Sequence, residues 1–273
     1  MHSPSAVDRI HGAAATRPRL NVVPAQMSLA LAALFSVIVL ATSFLSGVFG
    51  MAGGMVLMGV LIFMMPVSTA MVLHGVTQLA SNGWRVALWW RYVKPSIVVR
   101  FAFGTLIAFA VFSAIRIVPD RATVLLLLGL LPFIAVFVPD RIAPRADRIG
   151  GAELGGLLAG AFQLLAGVSG PLLDTFFVRM GVDRRAVVAT KAACQMISHV
   201  VKLVYFGGIA AAESDLPPIW LFVLAAALAI AGTSLARQVL ERLTDAQFRR
   251  WTKVLVMGIG LVYLVQGTIE LLK

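Results

Sequence analysis

Two sets of polar residues recur at matching intervals within otherwise apolar sequence. The first is His74, Gln78, Asn82 and Arg85, and the second is Lys191, Gln195, His199 and Lys202. Both follow the spacing i, i+4, i+8, i+11, which puts all four residues on one face of a helix. Amide donors and basic groups together hold an oxyanion through charge-assisted hydrogen bonds. A glycine cluster precedes each set: Gly50-Met51-Ala52-Gly53-Gly54 and Gly167-Val168-Ser169-Gly170-Pro171. At an offset of 117, Gly50 meets Gly167, Gly53 meets Gly170 and Gln78 meets Gln195. Identity between the halves is close to chance, and it is the polar pattern that repeats.

A half-helix starting at Gly53-Gly54 or Gly170-Pro171 exposes unsatisfied N–H groups and a positive dipole end, which bind anions. Glycine lets a ligand approach the backbone, and Pro171 suits a first helical position where no N–H is needed. Ser169 adds a hydroxyl donor. These features predict a substrate site built from Gly53, Gly54, Gln78, Asn82, Arg85, Ser169, Gly170, Lys191, Gln195, His199 and Lys202. Each has a structural alternative. Arg85 and Lys202 could snorkel to an interface, and the amides could be interhelical glue. Gly47 and Gly160, taken alone, read as close helix packing. Asp174 is the only acid deep in an apolar stretch. It is either a proton-coupling group or a carboxylate held by the helix dipole and a base such as Lys191.

Positioning these groups takes membrane-spanning helices. The chain has 273 residues, 60% hydrophobic and 13% charged, with a mean hydropathy of +0.93. A soluble domain needs a more polar surface, so the solvent is lipid. Apolar segments run over 27–49, 51–66, 69–90, 96–116, 121–138, 152–167, 170–180, 185–207, 218–236 and 252–271. The second and seventh are short and follow the glycine clusters, which reads as two discontinuous helix pairs in corresponding places. The organisation expected is a flexible tail over 1–26, a first membrane repeat over 27–138, a polar linker over 139–151 and a second repeat over 152–273. Each repeat is a broken helix pair followed by three transmembrane helices. Five segments per repeat invert the second relative to the first. The fold class is therefore all-α polytopic membrane protein with two inverted repeats.

The net charge of +11 sits mostly in short loops, the positive-inside pattern and not a nucleic-acid patch. Arg91 and Lys94, the linker, Arg179/Arg184/Arg185 and Arg237/Arg242/Arg249/Arg250/Lys253 are expected on the cytoplasmic side. The loop holding Glu213 and Asp215 is expected outside. Arg116/Arg121 fit less well. So does a tail carrying Arg9, Arg17 and Arg19, which would move to the cytoplasm if 27–49 made a complete crossing. Trp84, Trp89, Trp90 and Trp220 read as interface residues. The single cysteine, Cys194, excludes an intramolecular disulfide and reads as a packed thiol.

Leu45-Ser46-Gly47-Val48-Phe49-Gly50-Met51-Ala52-Gly53-Gly54 resembles the first-half signature of the TauE/SafE sulfite exporter family, also called the toluene sulfonate uptake permease family. Leu158-Ala159-Gly160-Ala161-Phe162 with Gly167-Val168-Ser169-Gly170-Pro171 resembles its second-half counterpart. Val188-Ala189-Thr190 through Gln195, His199 and Lys202-Leu203-Val204-Tyr205-Phe206 is also similar. The resemblance spans about 27–271 and implies export or uptake of sulfite, sulfonates such as sulfoacetate, or related compounds. Met51-Ala52 interrupts the glycine run usual in the family, and Gln163 to Ala166 are extra before the second break. Both departures bear on the substrate more than on the fold.

The resulting expectation is a secondary transporter of a small sulfur-containing anion. It would work by alternating access in a bacterial inner membrane, with a proton as candidate coupling ion. No cofactor, metal, ATPase subunit or nucleic-acid partner is expected, and no G-x-x-x-x-G-K-[ST] motif is present. The partners are the small anion and the lipid bilayer, with a homo-oligomer left open. The rival readings are an intramembrane enzyme using His74, His199 and Asp174, and an anion channel.

Overall fold

Gly50 and Gly167 have positive φ, 68° and 74°. That left-handed conformation suits glycine and ends an α-helix, so each residue stops a helix within an apolar run and turns the chain. The computed structural model describes residues 29–137, 144–177, 180–213, 216–240 and 245–273. All regular structure in the described residues is helical. The first half holds α1 (Leu29–Phe49), α2 (Ala52–Met64), α3 (Val67–Trp89), a short 3-10 turn at Trp90–Tyr92, α4 (Pro95–Ile115) and α5 (Arg121–Phe137). The second holds α6 (Gly151–Leu165), α7 (Gly170–Phe177), α8 (Arg184–Ala212), α9 (Ile219–Leu240) and α10 (Asp245–Leu271). The tail 1–26 with Arg9, Arg17 and Arg19 lies outside the described residues, as do Asp140, Arg141, Arg179, Asp215, Arg242 and the Arg249 side chain.

Five described helices are long and apolar enough to cross a membrane: Leu29–Phe49, Pro95–Ile115, and the segments 184–212, 219–239 and 250–271. At roughly 1.5 Å per residue each reaches about 30 Å or more. The 23-residue α3 is as long but more polar, because it carries the first polar face. That face is turned inward: His74, Gln78, Ser81 and Asn82 are all buried. Large apolar side chains such as Phe103, Val111, Val223 and Val265 lie exposed on the outside of the bundle, as lipid contact requires.

The glycine contacts reveal how the helices run. Gly75 of α3 faces Leu203 of α8, while Gly83, further along α3, faces the earlier Met196. The two helices are therefore antiparallel. So are α5 and α10, where Gly129 faces Leu264 and Gly267 faces Leu126. In contrast α1 and α9 run parallel, since Gly47 faces Thr233 and Ala236 while Gly232 faces Leu40 and Phe44. Likewise α4 and α6 run parallel, since Gly104 faces Glu153 and Leu157 while Gly160 faces Thr105 and Ala108. Packing of α9 on α3 is matched by packing of α4 on α8. Gly47 and Gly160 thus do serve close helix packing.

At the linker end, Ala146 N donates to Phe176 O at 2.9 Å, at the C-terminal end of α7. The Arg145 guanidinium grips Asp147 through two bonds of 3.0 and 2.6 Å and holds that carboxyl below its ordinary range. Arg100 of α4 pairs with Glu153 of α6 at 2.8 Å. At the other end, Ser68 donates to Glu213 at 2.7 Å, joining the start of α3 to the end of α8.

The α4–α6 crossing has no room for a side chain: a Cβ on Gly156 would lie 2.0 Å from the Phe101 carbonyl oxygen. Gly156→Leu must push the two backbones apart and is expected to destabilise by roughly 1–3 kcal/mol or more. Gly207 has nothing within 4 Å of its would-be Cβ, so Gly207→Ala should be neutral or raise stability by about 0.5–1 kcal/mol through helix propensity. Thermal unfolding of the detergent-solubilised protein reads both, and opposite signs are expected.

Candidate functional site

The N-termini of α2 and α7 meet inside the bundle. A Cβ on Gly170 would lie only 2.7 Å from Met51 Cβ, so the two turns are in direct contact. The sulfurs of Met58 and Met71 pack on Gly167. The first backbone N–H groups of any helix have no acceptor within it. In α2 bonding begins with Met55 N to Met51 O, and in α7 with Leu173 N to Ser169 O. The donors ahead of these have no acceptor within their own helices.

A buried polar network surrounds the meeting turns. Lys202, fully buried, donates from Nζ to His74 Nδ1 at 2.7 Å and to the Gly167 carbonyl at 3.0 Å. Because Nδ1 of His74 accepts, its proton is on Nε2, which donates to the Gly54 carbonyl at 3.0 Å. Gln163 donates from Nε2 to Gly167 O and to His199 Nδ1, each at 3.0 Å. Its Oε1 accepts from Ser169 Oγ at 2.9 Å. The His74 and His199 rings are 5.7 Å apart, centroid to centroid. One network thus links both turns to α3, α6 and α8.

Gln78 lies beside Gly54: a Cβ there would be 3.4 Å from the Gln78 amide. Its Nε2 is buried and has no hydrogen-bond partner among the described residues. Gln195 stands in the same relation to Gly170, its Nε2 3.5 Å from the would-be Cβ. The two amides therefore flank the two half-helix starts.

Arg85 is elsewhere on α3. It donates to Ser46 O at 2.8 Å, in the last turn of α1, and to Asn82 Oδ1 at 3.2 Å. Asn82 in turn donates to Gln78 O at 2.9 Å. Lys191 is ion-paired with Asp174, the structural alternative foreseen for that acid, and the Asp174 charge also acts on Arg85. The predicted residues fall into two groups. Gly54, Gln78, Ser169, Gly170, Gln195, His199 and Lys202 gather around the meeting turns. Asn82, Arg85 and Lys191 lie further along the antiparallel pair, with Asp174 of α7 beside Lys191, and Arg85 and Lys202 share no partner. Gly53 is packed against α1, where its Cβ would lie 1.8 Å from Thr42 O.

A broken-helix pair in each half, two inward polar faces and an all-helical bundle with lipid-exposed apolar flanks describe a membrane transporter. The family model described as sulfite exporter TauE/SafE matches residues 34–263. The chain belongs to the TauE/SafE family. Neither a curated protein nor a solved structure matches it. TauE/SafE is a family of transporters, and membership with these apolar helices makes the chain a multi-pass membrane protein of a sulfur-anion transporter class.

Two groups at the heart of this TauE/SafE site escaped the sequence reading of the substrate site. His74 belonged to the first polar face but was singled out only for the enzyme alternative. Gln163 was passed over as part of an insertion. Its signal was a single amide in an apolar helix, one turn before Gly167. Tyr263 of α10, which donates to Met55 O at 2.9 Å and secures α2, had no such signal. Among the tryptophans, Trp90 and Trp220 are exposed as interface residues would be. Trp89 carries Arg185 over its ring at 5.2 Å, whereas Trp84 Nε1 is buried without a partner. Cys194 is a buried free thiol, as expected.

Lys202→Met would leave the buried His74 Nδ1 without a donor. An unmade buried hydrogen bond costs roughly 1–3 kcal/mol, so the thermal midpoint in detergent should fall measurably. An unchanged midpoint would mean that the Lys202–His74 pair contributes nothing to the fold.

Proposed function

We propose that the chain is a secondary transporter for a small sulfur-containing anion, sulfite or a sulfonate such as sulfoacetate, in a bacterial inner membrane. The anion would bind where the starts of α2 and α7 meet. The observation that carries this reading is the Gln78 amide, buried and unpartnered beside the N-terminus of α2. A buried donor without an acceptor is costly in a finished structure, and here an oxyanion oxygen would supply the acceptor. The backbone donors of the two half-helix starts and the amide of Gln195 would complete the cage.

Alternating access requires two halves that can exchange roles. Inverted repeats over 27–138 and 152–273 supply them, and the packing supports that organisation. Under the pairing of α1–α5 with α6–α10, each observed direction has its counterpart: α1 with α9 answers α6 with α4. The equivalent helices α3 and α8 run antiparallel, as an axis in the membrane plane requires. A parallel repeat would align them. The parallel run of α1 and α9 also sets the start of α1 level with the start of α9, next to the loop expected outside. That agrees with a first helix pair that enters and returns without a complete crossing.

Purified protein in liposomes tests this reading. Saturable, counter-flow-competent movement of sulfite or sulfoacetate is expected, with neither anion chemically altered. Gln78→Leu removes one donor worth roughly 1.5 kcal/mol and should weaken apparent affinity about tenfold. Gly170→Ala should wedge the two turns apart and abolish transport in a normally inserted protein. Anion flux no faster than in empty liposomes, or a non-saturating current that follows the field, would exclude the transporter reading.

A further inference from the structure

Lys202 differs from several bases of the bundle in having no ion pair among the described residues, a feature it shares with Arg85, which bonds Ser46 O and Asn82 Oδ1 instead. Arg100 has Glu153, Arg145 has Asp147 and Lys191 has Asp174. Among the described residues no carboxylate bonds to Lys202, although its side chain is completely buried. The titratable groups facing it are His74 from α3 and His199 from its own helix. Gln163 and Ser169, from α6 and the second turn, complete the surrounding network, and all are uncharged when the imidazoles are neutral. An ammonium in such surroundings carries a large desolvation cost with no bonded carboxylate to offset it.

The hydrogen-bond geometry leads to the same conclusion. A neutral lysine amine has two N–H groups and one lone pair. Lys202 has two acceptors, His74 Nδ1 and the Gly167 carbonyl, so a neutral amine is fully used. An ammonium has a third N–H, and that one needs an acceptor that none of the described residues supplies. Lys202 is also linked to both half-helix starts, by one hydrogen bond to the second turn and by two to the first turn of α2. It touches Gly167 directly, and it reaches Gly54 through His74.

We infer that Lys202 is the proton-coupling group of this transporter: it takes up a proton when an anion enters the site between the two turns and releases it when the anion leaves. The balance is simple. The amine lone pair gains the proton, the third N–H of the ammonium donates to the anion, and charge +1 on nitrogen offsets one negative charge of the substrate. A monovalent sulfonate would therefore cross with one proton and no net charge. The inference rests on the anion-site reading above. It moves the coupling role from Asp174, whose charge is held by Lys191, to a base with no resident counter-ion.

Calorimetric titration of the full-length protein in detergent with sulfite and with methanesulfonate tests it, using buffers of different ionisation enthalpy at pH 7. The heat of sulfite's own proton exchange is subtracted. The slope of binding heat against buffer enthalpy gives the protons taken up. About one proton per anion is expected for the wild type by this linkage, and the same for Asp174→Asn. Lys202→Arg keeps its charge throughout and Lys202→Met has none to gain, so either should bind with no uptake, Lys202→Met at least tenfold more weakly. Wild-type binding whose heat is independent of buffer would overturn the proton linkage alone. So would uptake that survives in both Lys202 variants or disappears in Asp174→Asn. If neither anion binds the wild type, the anion site falls, and the inference with it.

Discussion

Breaking a helix inside an apolar bundle exposes backbone groups that water cannot reach, and most of the polar chemistry of this protein answers that one constraint. Each break leaves carbonyls at the end of one helix and N–H groups at the start of the next. The carbonyl ends are closed from within. Arg85 bonds Ser46 O at the end of α1, while Lys202 and Gln163 bond Gly167 O just beyond the end of α6. The Arg85 guanidinium suits its place because the helix dipole there is negative. The N–H ends are treated differently. They receive neighbouring amides, Gln78 and Gln195, which are themselves donors. A region where backbone N–H groups and amide NH2 groups converge calls for an acceptor from outside, which is why the chemistry of the site points to an anion.

Holding such a region at depth requires a frame that does not relax around it. The frame comes from helices packed at backbone distance, α1 on α9 and α4 on α6, with glycine at each contact. Without a hydrophobic driving force between helices in lipid, close van der Waals packing of small residues is what associates them. The two pairs flank the antiparallel α3 and α8, and Ser81 ties to Thr233 at 2.8 Å across one such boundary. At the second break the close contacts are made by methionine side chains, Met58 and Met71 around Gly167. Flexible Met side chains tolerate rearrangement better than branched ones, which suits turns that must separate if the site is to open.

Much of this was legible in the sequence because it is periodic or conformational. The spacing of His74, Gln78, Asn82 and Arg85 identified the inward face of α3, and Gly50 and Gly167 marked both turns before any φ angle was known. Depth along the antiparallel pair was not legible. Arg85 and Lys202 occupy equivalent places in the two halves, and equivalence suggested convergence. In an antiparallel pair, however, equivalent residues off the midpoint move apart: His74 meets Lys202, while Arg85 lies towards Lys191 and Asp174. Gln163 was illegible for a related reason. Its importance comes from three partners distant in sequence or across a turn, Gly167, Ser169 and His199, and no periodic pattern encodes such a meeting.

The difference between the two bases at those equivalent positions is itself chemical. A guanidinium keeps its charge under any condition a protein experiences, whereas a lysine amine can lose its charge when desolvated. Arg85 is used where the charge is permanent, capping the end of α1 at Ser46 O. Lysine stands fully buried beside two imidazoles, with no carboxylate bonded to it among the described residues, where permanent charge would be a standing cost. Had residue 202 been arginine, the empty site would hold an uncompensated cation. Had residue 85 been lysine, the end of α1 would be capped by a group able to withdraw its charge. The two halves share a backbone plan, and this one substitution separates structural capping from a role that requires a charge to come and go.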